Sequence, residues 1–163
     1  MKKHIIAIVS WIIVAWAAYV FLSSLPYKFS GHPDTKHIFT TIGGWIGEVT
    51  TPLLGDLFSR FGAYGVGSFE LLSSLILLLP AVIWLLGAVG LANSEGVRPG
   101  YHAWGGLLAA VVMAGAVFFH LATPLGVEVL HQGKPDGGSL FYSSLSILIL
   151  GIVLYLINIR LVR

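Results

Sequence analysis

Three ionisable side chains stand at the edges of apolar runs, where they could do chemistry that a lipid-facing residue cannot. Lys28 closes the first run, Glu70 opens the second and His120 ends the third. A carboxylate beginning an apolar span costs about 2.5–3.5 kcal/mol at the membrane centre and less near the edge, so Glu70 should seek a cation. Lys28 is the nearest candidate by depth. Ser73 and Ser74 follow Glu70 at i+3 and i+4 and continue its polar face inward, and Tyr142 stands at the entry of the fourth run. These six residues, Lys28, Glu70, His120, Tyr142, Ser73 and Ser74, are expected to form a polar pocket for a ligand. For Lys28, Glu70 and His120 the alternative is purely structural: an ion pair of Lys28 with Glu70, and ionisable span ends snorkelling to water.

Other chemistries find less support in the spacing. His32, Asp34, His37, His120, Glu128 and His131 are the residues a metal would use. His-x-Asp-x-x-His places its histidines about 140° apart on a helix, and no HxxxH or ExxH motif accompanies it, so no metal site is expected. Axial haem ligation by His120 lacks a second histidine inside another run. The chain has no Cys, which removes thiolate ligation and disulfide exchange. With no nucleophile beside a base, no catalytic residue is assigned, and catalysis by this chain alone has the least support.

The elements that must position these groups are membrane spans. Of the 163 residues 56% are hydrophobic and 10% charged, with a mean hydropathy of +0.89. That composition describes an integral membrane protein. The reading is all-α, a single domain of four transmembrane helices in a bundle, with spans at about 5–25, 70–92, 102–121 and 140–159. The run from Ile5 to Leu25 follows Lys2 and Lys3 as a signal peptide would, but it is long for an apolar signal core and is read as a span. Pro80 falls midway in the second span. Gly105, Gly106, Ala109, Ala110 and Ala114 make the third suited to close approach, and Ser144, Gly151 and Asn158 mark one face of the fourth.

Between Pro26 and Ser68 the apolar residues recur at helical spacing in two short sets, Ile38 to Ile46 and Leu53 to Phe61. Two amphipathic interfacial helices, Asp34 to Ile46 and Thr51 to Phe61, are expected there, the second started by Thr51-Pro52, stopped by Gly62 and carrying an Asp56–Arg60 pair. Lys2, Lys3, Arg98, Arg160 and Arg163 face only Glu95 on the side of the termini, whereas the opposite loops mix both signs. Both termini are therefore expected in the cytoplasm, with 26–68 and 123–139 on the outer or periplasmic side of the cell membrane. The net charge of +2 does not suggest nucleic acid as a partner.

The order of features resembles the DoxX-like family of small four-helix membrane proteins. The likeness lies in Tyr27-Lys28-Phe29 ending the first span, Glu70-Leu71-Leu72 opening a second that continues through an apolar LILLLP run, a third ending near His120, and Gly138-Ser139-Leu140-Phe141-Tyr142 entering the fourth. It implies a subunit or accessory of a membrane redox assembly, linked in some members to quinones or sulfur compounds. The expectation is a small auxiliary membrane subunit that binds quinone, lipid or a partner protein near the outer face, beside a larger membrane complex or a periplasmic protein. A solute carrier or channel coupled through Glu70, and a purely structural assembly factor, are the alternatives.

Overall fold

The computed structural model describes residues 2–131 and 133–162. Met1, Gln132 and Arg163, with the side chains of Lys2 and His131, lie outside that description, and so do the readings that used Lys2, His131 and Arg163. The described chain is almost wholly helical. Its elements are α1 (Lys2–Ser30), α2 (Pro33–Val49), α3 (Pro52–Ala88), α4 (Val97–Ala122), the strands β1 (Leu130–His131) and β2 (Lys134–Pro135), and α5 (Ser139–Ile159). Four of these, α1, α3, α4 and α5, are long and apolar enough to cross a membrane.

Three boundaries differ from expectation, the smallest being α4, which begins at Val97 and not at about His102, so that Arg98 and Pro99 lie in its first turn. Helix α1 does not end at Leu25 but runs through Pro26, so Lys28 lies on the helix and not in a loop after it. The missing Pro26 N–H costs one bond near the helix end, which the last turn tolerates. The largest difference is α3. The short helix expected over Thr51 to Phe61 and the span expected from Glu70 are one continuous element of 37 residues. Its start is as the sequence suggests, with the Thr51 hydroxyl accepting from Leu54 N at 3.4 Å and Pro52 in the first turn. Asp56 and Arg60 also pair at 2.9 Å. Gly62, however, is no stop. It is a contact point, where a Cβ would lie 2.7 Å from the Phe39 ring.

Helix α2, begun by His32 and Pro33, turns back along the first half of α3. Gly43 and Gly55 touch backbone to backbone, and a Cβ on Gly55 would sit 2.8 Å from Gly47. Helices α4 and α5 meet as closely at Gly106 and Gly151, where a Cβ on Gly151 would lie 2.6 Å from the Gly106 carbonyl. That is the close approach expected of small residues where lipid supplies no hydrophobic drive. The main core joins Ile13, Val14, Ala17 and Phe21 of α1 to Leu77 of α3, Ala109 and Met113 of α4, and Ile147 and Leu154 of α5. A second cluster, Ile42 with Leu125 and Val129, ties α2 to the loop after α4.

That loop carries a two-stranded hairpin that periodicity did not announce. Leu130 pairs with Pro135 and His131 with Lys134. Asp136 organises its exit, since its carboxylate accepts from the amides of Val129, Gly138 and Leu140, each at 2.9 Å, and from the Ser139 hydroxyl at 3.0 Å. Burial works to raise its pKa, but these four donors outweigh burial and hold it below the ordinary carboxylate value.

Candidate functional site

Lys28 and Glu70 meet. The ammonium lies 2.8 Å from Glu70 Oε2 and 3.0 Å from Oε1, and the two side chains are only 16% and 5% exposed. Ser24, one turn before Lys28, completes the group: its hydroxyl accepts from Lys28 Nζ at 2.9 Å and lies 2.8 Å from both Glu70 Oε2 and the Phe21 carbonyl, which share its one proton. Gly67, three residues before Glu70 on α3, makes room for the lysine stem, because a Cβ there would already be 3.4 Å from Lys28 Cβ and Cδ. The carboxylate is thus neutralised and hydrogen-bonded where it is buried, which is the condition for keeping a charge out of water.

His120 is buried near the C-terminal end of α4. Its Nδ1 lies 2.7 Å from the Gly126 carbonyl. A carbonyl only accepts, so Nδ1 carries the proton and, in the neutral ring, Nε2 is the acceptor. Gly126 has φ +72°, a conformation that suits glycine, and that turn brings its carbonyl back over the helix end. Phe141 packs its ring edge-on against the imidazole at 5.6 Å between centroids.

Ser24, Lys28, Glu70 and His120 all line one cavity of about 510 Å³. Its remaining wall is mainly apolar, from Phe21 on α1, Ile38, Phe39 and Ile42 on α2, Phe58 on α3, Met113 and Phe119 on α4, and Leu125. Towards the other end of the molecule α1 and α5 close on each other through the main core. The cavity wall also takes in Tyr19 and Ser23 of α1 and Leu140, Ser143 and Ser144 of α5. Tyr19 in this wall is 68% exposed. Trp16 marks its lower edge, donating from Nε1 to the Ser146 hydroxyl at 2.9 Å.

The other expected members do not join. Tyr142 is 59% exposed, packs on Phe141 and Gly138, and contributes nothing to the cavity wall. Ser73 and Ser74 are buried, but their hydroxyls donate to the carbonyls of Phe69 and Glu70 on their own helix, at 2.8 and 2.9 Å, and neither reaches the cavity. Sequence reasoning passed over Ser24, although it stands at i−4 to Lys28, and it did not foresee the Trp16–Ser146 bridge. His32 is engaged as the cap of α2, accepting from Asp34 N at 3.3 Å. Among the described residues no three of His, Cys, Asp and Glu cluster as metal ligands. Comparison of the chain with known protein families, with characterised proteins and with solved structures finds no match.

Proposed function

We propose that the chain is a small auxiliary subunit of the cell membrane that takes a lipid-soluble amphipathic molecule, a quinone or a lipid, into the cavity between α1 and α5. The observation that carries this reading is the meeting of Ser24, Lys28, Glu70 and His120 with a mainly apolar chamber lined by all four of the long helices. A ligand arriving from the bilayer would leave its tail among Phe21, Met113 and Phe119. Its polar head would meet the acceptor of His120 beside the Lys28–Glu70–Ser24 group, in keeping with sites lined mostly by apolar groups around a few placed polar ones.

In this reading the four long helices form a transmembrane bundle with both termini in the cytoplasm, of the inner membrane in a Gram-negative bacterium. The α2–α3 hairpin stands over the cavity on the outer side. Its tip exposes Val49, Leu53, Leu54 and Leu57, an apolar patch suited to a larger membrane complex. A DoxX-like origin and a redox setting follow from the resemblance of residues 27–29, 70–72 and 138–142, and they make quinone the first ligand to try.

The test is purification of the full chain in mild detergent, extraction of co-purifying lipids and their identification by mass spectrometry, with Met113→Trp filling the chamber. Enrichment of an isoprenoid quinone or one lipid class over the bulk membrane, lost in Met113→Trp, is the expected result. An extract with the bulk membrane composition in both proteins would leave the scaffold role alone.

A further inference from the structure

At the other end of the molecule lies a second cavity, of about 660 Å³, beside the turn between α3 and α4. Its wall includes Trp11, Ala81, Trp84, Ser94 and Arg98. Arg98 is held by one hydrogen bond, Nη1 donating to Asn158 Oδ1 at 2.9 Å. Asn158 is fixed in that orientation because its own amide donates to Ser10 Oγ and to the Leu154 carbonyl, both at 2.9 Å. A guanidinium has five N–H donors, and no carboxylate among the described residues pairs with this one, Glu95 in the same turn included.

One turn further along α4, His102 is wholly buried edge-on to Trp11 at 4.6 Å and is not part of the cavity wall, so Arg98 and Ser94 are the polar side chains the cavity offers. The surroundings are basic. Lys3 and Arg160 lie on the ends of α1 and α5 that the Ser10–Asn158 contact brings to this side, so cations outnumber the single acid.

We propose that this cavity binds a phosphate group, held by the free donors of Arg98 with Ser94 beside them. A phosphate accepts the planar fork of a guanidinium with two parallel bonds. The cavity is far larger than one phosphate, and the exposed Trp84 beside it belongs to the residue type found at headgroup level. Both features suit the diester of an anionic phospholipid, and a soluble phosphate shares the same recognition chemistry.

The experiment is native mass spectrometry of the full chain in detergent, titrated with phosphatidylglycerol or phosphatidylcholine, and in parallel a thermal melt with inorganic phosphate. The probes are wild type, Arg98→Gln, Ala81→Phe, which fills the cavity and keeps the charge, and Arg160→Gln, which removes a cation outside the cavity. Phosphatidylglycerol should be retained by wild type and Arg160→Gln at about tenfold lower concentration than phosphatidylcholine, a preference lost in Arg98→Gln and Ala81→Phe. A phosphate-induced rise in Tm that disappears in the same two variants, without a lipid preference, assigns the site to the soluble ion. The same lipid ratio in all four proteins, with no phosphate effect, overturns the proposal. Should Arg98→Gln fail to fold, an undiminished preference in Ala81→Phe overturns it alone.

Discussion

A single lysine placed 42 positions from its partner decides whether Glu70 is tolerable where it stands. The two side chains are mostly shielded, so removing one leaves the other charged and buried, at a cost of about 3–5 kcal/mol. Glu70→Gln and Lys28→Met are each expected to lower stability by an amount of that order. The double change should recover about 1–3 kcal/mol of the summed loss, read from unfolding in a denaturing detergent. Additive losses would mean that the ion pair contributes nothing. The pair was legible because both charges stand at the edges of long apolar runs, at similar depth, where a carboxylate seeks a cation. Ser24 was not, since a serine on a helix bonds its own backbone as readily as a neighbour, which is what Ser73 and Ser74 do. Asp136 gives a second expectation at this scale. Its folded pKa is depressed below 3.8, so its stabilisation is present above that value and is lost as pH falls through the lower folded one. The amide resonances of Val129 and Leu140 should titrate together with a midpoint below 3.8. A midpoint at or above the ordinary carboxylate value would show that the four donors are not engaged in solution.

Glycines decide how the elements meet, and the letter alone does not say how. Gly62 reads as a helix stop, yet a stop needs a left-handed backbone, and Gly62 instead lies inside α3 beneath Phe39. Nothing local distinguishes the two uses, because both need only the absence of a Cβ. The continuous α3 was therefore hidden, whereas the close contact of α4 with α5 was readable from small residues repeated four apart. The α2–α3 hairpin should respond accordingly. Gly55→Ala drives a methyl into the Gly43 carbonyl and the Gly47 backbone, neither of which can give way cheaply, and is expected to cost about 1–3 kcal/mol. Gly65→Ala on the same helix meets open space and should stabilise by about 0.5–1 kcal/mol through its better helix propensity. Opposite signs in paired unfolding measurements are the expected outcome. A neutral Gly55→Ala would mean that the hairpin does not pack as described.

For the whole molecule the question is which parts lie in the bilayer. Helix α3 would extend about 55 Å at 1.5 Å per residue, against a hydrocarbon core of about 30 Å, so α3 is too long to lie within the core unless strongly tilted. If its second half spans, the first half, with α2 packed antiparallel along it, rises as a hairpin rather than lying flat as two separate surface helices would. The charge distribution sets the expectation for its side. Lys3, Arg98 and Arg160 gather at the end carrying the α3–α4 turn, and the other end mixes acids and bases, so the turn should be cytoplasmic and the hairpin outside. The chain has no Cys, which permits a clean test with single cysteines at Ser30, Ser94 and Ser139 and an impermeant thiol reagent on intact cells. Ser30 follows the Lys28 end of α1 and Ser139 begins α5 at the cavity, whereas Ser94 lines the opposite cavity. Labelling at the first and third positions alone would put the Glu70 cavity in the outer leaflet and the Arg98 cavity in the inner one, where anionic headgroups attract basic residues. Labelling of Ser94→Cys alone would invert the molecule, and the Glu70 cavity would then draw its ligand from the cytoplasmic leaflet.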